Sequence, residues 1–379
     1  AKGSTVVMAN VYFDGRITLY SGQISITVKD PFTTNSIYLM NYRGLGGVVE
    51  IPADRGVTTI YAYAFSHYEY VDKDTSAGDV IDEEDPYYIK QSYLGEDTIT
   101  KIVIPEGVTT INSYAFAGLT ALKEVVLPST LTRIGTYAFF GCTNLTSINL
   151  EHVKFINERA FAQCGLSYVN LASVNAIGNY SFAFNNLTTL TLPESSQSLG
   201  IGAFYKNEHL ESVTFNAAKI KIGSMAFALC NKLKSIDVNA SVISSYAFRD
   251  CSALTSVSLG KDVSVIGEYA FAGTNVAKFD LAEGSAFTAE NNGGYLVKDD
   301  ELVLVAPAYA SNTVRTSAKK IAAGACSGNL RVYFVVAENA TTIGEYAFAG
   351  CENLRSFTGG NLKEIGGYAF YKTNLGATP

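Results

Sequence analysis

One pattern of apolar and polar positions recurs about every 22 residues along the chain. It is clearest in the segment "IGEYAFAGCENL", residues 343–354, where Ile, Phe, Cys and Leu keep a fixed spacing. The marker Phe of the pattern occurs at 65, 116, 139, 161, 182, 204, 227, 248, 271, 348 and 370, and Cys326 takes its place in a degenerate copy. The spacing predicts about twelve units with two insertions, near 66–97 and 282–320.

Each unit divides into three predicted elements. An alternation such as Val125, Val126, Leu127 predicts a short strand. A Gly that follows the Ile, such as Gly344, indicates either a positive φ or a close approach of two backbones. The segment Y-A-F-x-x-C-x-x-L spaces its apolar residues by three, which predicts a helical or 3-10 turn. One unit cannot bury these side chains alone, so the pattern predicts a stacked solenoid.

The composition fits a strand-rich extracellular protein. Hydrophobic residues make up 47% of the chain and charged residues 17%, with 24 Tyr, 21 Phe and no Trp. A formal net charge of −7 argues against a nucleic-acid partner, which needs a basic surface. No apolar run reaches the roughly 18 to 20 residues that span a bilayer. The start "AKGSTVVMAN" lacks the pattern of a secretory leader, which we interpret as a mature or trimmed chain.

The cysteines follow the repeat rather than a metal-binding spacing. Five of the six lie three residues after a marker Phe, at 142, 164, 230, 251 and 351. Buried free thiols are the first expectation, because Cys packs like a small hydrophobic residue. Disulfides between neighbouring units, 142 with 164 and 230 with 251, are the alternative, since the stacking distance lies within disulfide reach.

The motif V-x-L-P-x-x-[LV]-T-x-I-G-x-Y-A-F-x-G-C-x-x-L resembles that of the BspA-like leucine-rich-repeat family of bacterial surface proteins. Residues 125–145, "VVLPSTLTRIGTYAFFGCTNL", match it almost throughout, and the resemblance covers 46–375. It implies an α/β repeat solenoid, a right-handed superhelix of short parallel strands joined by turns or short 3-10 or helical segments. We expect a β-rich N-terminal cap over 1–45 and the repeat array over 46–379. The array stops where another strand is due, and we therefore expect the native protein to continue. The insertion "GGYLVKDDELVLVAPAY", 293–309, resembles a strand pair of such arrays.

The same resemblance implies a function in binding rather than catalysis. It predicts a secreted or surface-attached protein that adheres to host proteins, glycans or other cells, without cofactor or metal and as a monomer. A passive stalk that spaces another domain from the surface is the alternative. No catalytic residue is predicted: His67, His152 and His209 lie in unrelated units, and no hydrolase, metalloprotease or nucleotide-binding motif occurs.

One candidate binding surface is the row of side chains that flank the buried middle residue of each strand. The row is mostly small, neutral and hydroxylated, from Glu124 and Val126 to Ser256 and Ser258. It either reflects strand propensity and solubility or forms a polar surface for a glycan or protein. The residues chosen from it as candidates are Tyr168, Asn170, Thr189 and Thr191.

The other candidate is the first insertion, which carries the charge imbalance of the chain. Residues 66–97 hold ten acidic side chains against two Lys, a net of −8. The candidate contacts are Tyr68, Tyr70, Asp82, Glu83, Glu84, Asp85, Tyr87 and Tyr88. Long insertions in compact arrays are functional or disordered, so a solvated loop and a protein-recognition site are both open.

Two further interpretations of this insertion are weaker. Asp72, Asp74, Ser76 and Glu83 have the offsets of an EF-hand calcium loop, but Ala77 occupies the position that requires Gly. A carboxylate pair for glycoside hydrolysis could come from residues 82–85, although a contiguous acidic run is generally just solvated.

Overall fold

The computed structural model describes residues 32–42, 46–66, 68–70, 89–91 and 98–376. The first strands in chain order are β1 (Phe32–Asn35), β2 (Tyr38–Tyr42), β3 (Gly47–Glu50), β4 (Thr59–Ile60), β5 (Tyr68–Tyr70), β6 (Ile89–Gln91), β7 (Ile99–Val103), β8 (Thr110–Ile111), β9 (Glu124–Val126), β10 (Arg133–Ile134), β11 (Ser147–Asn149), β12 (Phe155–Ile156), β13 (Tyr168–Asn170), β14 (Ala176–Ile177), β15 (Thr189–Leu192) and β16 (Ser198–Leu199). The later strands are β17 (Ser212–Phe215), β18 (Lys221–Ile222), β19 (Ser235–Val238), β20 (Val242–Ile243), β21 (Ser256–Leu259), β22 (Val265–Ile266), β23 (Phe279–Leu281), β24 (Thr288–Glu290), β25 (Tyr295–Lys298), β26 (Glu301–Val305), β27 (Thr313–Arg315), β28 (Lys320–Ile321), β29 (Phe334–Ala337), β30 (Thr342–Ile343), β31 (Ser356–Gly359) and β32 (Glu364–Ile365).

These strands stack into a parallel β-solenoid of about thirteen turns. Each unit contributes one strand to a face of longer strands and one two-residue strand to a second, narrow sheet. The narrow sheet runs through eleven strands, in the order β1-β2-β4-β8-β10-β12-β14-β16-β18-β20-β22. The other face is divided into shorter sheets, β3-β7-β9, β11-β13, β15-β17-β19-β21-β23 and β27-β29-β31. The predicted solenoid is therefore confirmed.

The α/β description is only partly supported, because the part of the chain that the structure describes has almost no helix. That part contains no α-helix, and its one helical segment is the 3-10 helix Ala53–Arg55. The Y-A-F segments, expected to form a helical or 3-10 turn, form successive turns whose amides bond alternately three residues back within the segment and to the next unit. The N–H of Phe116 donates to the carbonyl of Ala138 at 2.8 Å, and Phe227 donates to Ala247 at 2.8 Å. Because these amides bond to the next turn, a continuous helical ladder cannot form.

The left-handed backbone positions fall on the Tyr of the repeat, not on the Gly that follows the Ile. Tyr137 has φ 56° and Tyr246 has φ 62°. Gly344 does not have a positive φ, but a Cβ there would lie 2.4 Å from the backbone N of Ala323 in the preceding unit. Close approach is therefore the correct alternative, and the positive φ at Tyr was missed because residues other than Gly rarely adopt it.

The marker Phe side chains form a continuous column through the solenoid. Successive rings from Phe65 to Phe271 stack with centroids 5.0 to 5.4 Å apart, close to the spacing of adjacent strands. Phe65 and Phe116 stack at 5.0 Å although 51 positions separate them, so the first insertion lies between two adjacent turns. Burial of these rings supplies the core that a single unit lacks.

The six cysteines are buried free thiols, and the five that lie three residues after a marker Phe (142, 164, 230, 251 and 351) donate from Sγ to a backbone carbonyl of the preceding turn. Cys251 Sγ donates to the carbonyl of Phe227 at 3.1 Å, and Cys164 Sγ donates to that of Phe139 at 3.1 Å. Asn185 takes the same position in its unit, and its Nδ2 donates to the Phe161 carbonyl at 2.8 Å. Burial is the main cause that raises the pKa of the Cys230 thiol well above its ordinary value, so the group stays protonated.

The described part of the N-terminal region closes one end of the column. Strands β1 and β2 form an antiparallel hairpin, and β2 pairs in parallel with β4. Leu39 is fully buried, and the Tyr42 ring stacks on Phe65 at 5.0 Å. A cap over the whole of 1–45 remains a prediction, because residues 1–31 and 43–45 lie outside the described residues.

The second insertion is built into the stack. Strand β25 pairs with β24 and β26 in antiparallel fashion, and β26 then pairs in parallel with β28 of the next unit. Leu302 thereby takes the place of a repeat Ile against Ile321, and it is fully buried.

Truncation of a column ring should be costly. We expect Phe227→Ala to lower the free energy of unfolding by about 3–5 kcal/mol, because the substitution removes a buried ring that stacks on two others and leaves a cavity. Phe334→Ala is the control, since Phe334 is 40% exposed on β29, and its cost should stay below about 1 kcal/mol. Urea denaturation checks both, and a cost under about 0.5 kcal/mol for Phe227→Ala would contradict a packed column.

Backbone conformation can be tested separately from packing. Gly350 has φ 73°, and a Cβ there would meet only Gly328, at 3.5 Å. Gly350→Ala should therefore destabilise the protein by about 1 kcal/mol through backbone strain alone. Gly367 lacks a positive φ and has open space around it, so Gly367→Ala should be neutral or slightly stabilising. Equal changes in melting temperature for the two variants would contradict the positive φ assigned to Gly350.

Candidate functional site

The longer strands expose two side chains on either side of a buried one. In β13, Tyr168 is exposed, Val169 is buried and Asn170 is half-buried. The exposed–buried–exposed pattern begins β9, β11, β15, β17 and β19 as well. The predicted row of side chains therefore projects from one face of the solenoid.

The sheet of this face is interrupted on both sides of the pair β11-β13. The interruptions coincide with a change in the connection between the strand and the following Ile or Leu. Val169 and Ile177 are eight positions apart, as are Ile148 and Ile156, whereas Leu190 and Leu199 are nine apart. The shorter connections also lack the Pro that follows β9 and β15. Strands β13 and β15 pair with β11 and β17 but not with each other.

A depression of about 680 Å³ lies at the interruption between β13 and β15. We call it the Tyr168 depression. Its lining residues come from the two strands, the turns after them and the end of the next unit, and they are Tyr168, Val169, Asn170, Leu171, Ala172, Thr189, Thr191, Pro193, Glu194, Ser195 and Asn216. The structure thus brings together the four strand residues selected from the sequence, in a volume typical of small-molecule sites.

Most polar side chains that line this depression make no hydrogen bond within the described part of the chain; Ser195 is an exception, since its Oγ donates to the Val174 carbonyl at 3.0 Å. Asn170 Oδ1 accepts the N–H of Ala172 at 3.2 Å, which leaves the Nδ2 of Asn170 as a donor. Within the described part of the chain, the hydroxyls of Tyr168, Thr189 and Thr191 and the side chains of Glu194 and Asn216 have no hydrogen-bond or ionic partner. Donors and acceptors therefore converge on the same space without being satisfied there.

Chemically similar side chains elsewhere hold neighbouring turns together. Asn144 Nδ2 donates to the Thr120 carbonyl at 2.7 Å, and Asn353 Nδ2 donates to the Leu330 carbonyl at 2.7 Å. Ser241 Oγ donates to the Lys219 carbonyl at 2.9 Å. The unused amides and hydroxyls at the strand face therefore have a different role from the structural ones at the turns.

A second depression of about 400 Å³ lies at the other interruption, between β9 and β11. Its polar lining includes Glu106, Asn149, Glu151 and His152. Glu106 accepts the backbone N–H of Ser129 at 2.9 Å and its hydroxyl at 3.0 Å. These bonds lower the pKa of the Glu106 carboxyl because they stabilise its ionised form, the backbone bond most strongly. His152 Nε2 lies 3.2 Å from Glu151.

Most candidate residues of the first insertion lie outside the described residues. Tyr68 and Tyr70 lie on β5, paired with Gln91 and Ile89 of β6, and only their backbone is described. The other six, Asp82, Glu83, Glu84, Asp85, Tyr87 and Tyr88, lie outside the described residues, as do Asp72, Asp74 and Ser76. The described ranges contain no cluster of three metal-ligating side chains, and no helix in them is long and apolar enough to cross a membrane.

Sequence reasoning missed Glu194, Ser195 and Asn216 as members of the site. They occupy the turns that follow the strands, and the repeat pattern does not show which turns lie beside an interrupted sheet. Connection length does not reveal it either, since the seven-residue step from Ile236 to Ile243 lies within an unbroken sheet.

The Glu106 contact gives a pH-dependent prediction. A carboxyl with a lowered folded-state pKa stabilises the fold above its ordinary pKa, and this contribution is lost as the pH falls through the lower folded value. Ser129→Ala should raise the pKa of Glu106 part of the way to that of an ordinary Glu. The backbone hydrogen bond from residue 129, which makes the larger contribution to the lowered pKa, remains in the variant. Carboxyl NMR titration checks this, and an unchanged pKa in the variant would contradict the hydroxyl contact.

Comparison with known proteins places the chain among bacterial repeat proteins. The profile of the BspA type leucine rich repeat region matches residues 80–183, 175–291 and 319–378 in six copies. A leucine-rich repeat protein from Bacteroides ovatus is 19% identical, with a TM-score of 0.50, over 91% of this chain and 92% of its own. No curated protein matches the sequence.

Two further solved structures are similar over most of the chain. A leucine rich cell surface protein from Faecalibacterium prausnitzii is 20% identical, with a TM-score of 0.46, over 89% of this chain and 96% of its own. The pneumococcal vaccine antigen PcpA is 19% identical, with a TM-score of 0.40, over 97% of this chain and 75% of its own. The repeat profile covers well over half of the residues, and the chain therefore belongs to the BspA-type leucine-rich-repeat family.

Proposed function

We propose that this protein is a non-catalytic adhesin or binding protein of the bacterial cell surface, whose ligand binds in the Tyr168 depression. The observation that carries the proposal is the convergence of unused donors and acceptors beside an exposed aromatic ring. Surface attachment and adhesion are what membership of the family leads us to expect. The solenoid supports the role by holding the contact residues on paired, rigid strands.

The chemistry of the depression favours binding over catalysis. Glu194 is its one carboxylate, and its lining includes no imidazole, thiol or amine. General acid–base catalysis needs a proton donor and a proton acceptor placed on the two sides of a reacting bond. The lining offers hydroxyls and amides, which bind polar groups without transferring protons at neutral pH.

The acidic, Tyr-rich segment 66–97 is a second proposed contact. It is inserted between the turns of Phe65 and Phe116, and its net charge of −8 suits a partner with a basic surface. Its role is separable from that of the depression, because it can be deleted and replaced by a short linker between two units that already stack directly on each other.

The test is a binding screen of the chain against glycans and extracellular-matrix proteins, followed by variants. Tyr168→Ala should weaken a ligand of the depression about 10-fold or more while the melting temperature is unchanged, because the side chain is 56% exposed. Tyr371→Ala is a matched control, since Tyr371 is 51% exposed and far along the chain.

Three results separate the candidate surfaces. A loss of affinity with Tyr168→Ala supports the proposal. A loss of affinity that occurs only on deletion of 66–97 would show that the ligand binds the acidic segment, and it would contradict the assignment to the depression. Absence of any ligand in the screen favours the passive spacer.

A further inference from the structure

We propose that the ligand of the Tyr168 depression is an uncharged oligosaccharide that extends from it along the strand face of the solenoid. This inference rests on the proposed function and adds the chemical class and the direction of the ligand. It follows from the aromatic ring, the kind of polar group, the local charge and the shape of the row beside the depression.

The ring of Tyr168 is held out of the core by strand alternation. It is 56% exposed, and none of the described rings or cations packs against it. The neighbouring Val169 is buried and fixes the direction of the strand. An aromatic face presented in this way matches the C–H face of a pyranose ring. Because Tyr has only two side-chain torsions, fixing them on binding costs little conformational entropy.

The polar groups around the ring match sugar hydroxyls. Each sugar hydroxyl both donates and accepts a hydrogen bond, and so do the hydroxyls of Thr189 and Thr191 and the amide of Asn216. Asn170 supplies a further donor through its Nδ2. The Glu194 carboxylate can accept from two adjacent hydroxyls, a charge-assisted bond stronger than a neutral one.

The charge of the depression selects against acidic ligands. Its lining includes one carboxylate and no Lys, Arg or His. A sulfate, phosphate or uronate group bound there would face Glu194 without a counter-charge, which disfavours binding. The same absence of Arg and of a second exposed aromatic ring disfavours a protein epitope, whose anchors are usually Trp, Tyr and Arg.

The depression opens onto a continuous row of small hydroxyls in one direction. Thr189, Ser212, Ser235 and Ser256 pair in register across adjacent parallel strands. At about 4.8 Å per strand this row is about 14 Å long, which accommodates several sugar rings in sequence. In the opposite direction the row of small side chains gives way to the ion pair of Lys101 and Glu124, at 2.7 Å.

The experiment is calorimetric titration of the chain with neutral and acidic oligosaccharides. The neutral probes are hexasaccharides of β-1,4-glucose, β-1,3-glucose, α-1,6-mannose and β-1,4-N-acetylglucosamine, with the corresponding disaccharides. The acidic probes are hexagalacturonate and a heparin hexasaccharide. We expect at least one neutral hexasaccharide to bind, more tightly than its disaccharide and than either acidic probe.

Variants then locate the sugar. Tyr168→Ala should weaken binding about 10-fold or more, whereas Tyr168→Phe, which keeps the ring, should stay within about 3-fold. Replacing Thr189 and Thr191 by Val removes two hydroxyls but keeps the strand shape, and should also weaken binding. Ser235→Arg should reduce the advantage of the hexasaccharide over the disaccharide, and Tyr371→Ala should change nothing. Unchanged melting temperatures show that each variant is folded.

Several results would overturn the inference. It fails if no neutral probe binds at millimolar concentration, if acidic probes bind more tightly, or if Tyr168→Ala leaves neutral binding unchanged. If binding of a protein ligand from the earlier screen depends on Tyr168 while no sugar binds, the proposal of an oligosaccharide ligand is wrong but the proposed binding function stands. If neither class binds through Tyr168, both proposals fail.

Discussion

The hydrogen bond between the backbones of adjacent turns is the interaction on which the rest of this structure depends. In most units the amide of the marker residue donates to a carbonyl of the next turn at 2.8 Å, as from Phe139 to Ala160. The turns are thereby held near the spacing of paired strands. At that distance the Phe rings stack and the Cys or Asn side chains reach the carbonyls of the previous turn. Where Gly follows the repeat Ile, as at Gly135 and Gly344, it lies close against the neighbouring backbone.

Much of this architecture could be predicted from the sequence, because a period of 22 residues fixes which side chains face inward. The buried Ile, Phe and Leu, the packed thiols and the exposed strand residues all follow from that spacing. The turn at Y-A-F was predicted, but its hydrogen bonding was not: a segment with apolar residues three apart can bond within itself or to its neighbour. Here the amides alternate between the two, with Phe140 bonded to Tyr137 and Phe139 to Ala160, and Tyr137 adopts a positive φ.

The candidate site could be predicted only in part. Tyr168, Asn170, Thr189 and Thr191 were identifiable because strand alternation exposes them. Their convergence was not, since it depends on a break in the sheet between β13 and β15 that the repeat pattern does not show. Glu194 and Asn216 join the site through the same break. A regular repeat therefore gains a distinctive surface where its regularity changes, and the breaks in the sheet are where ligand chemistry should be sought.

The account assigns binding to one interrupted part of an otherwise regular face. Hydrogen–deuterium exchange of the full chain, with and without an excess of a mixture of neutral hexasaccharides, tests this assignment most directly. We expect slower exchange in peptides that cover residues 166–196, 211–216, 235–238 and 256–259, with little change elsewhere. Protection confined to the 66–97 segment, or no protection at any peptide of the strand face, would contradict it.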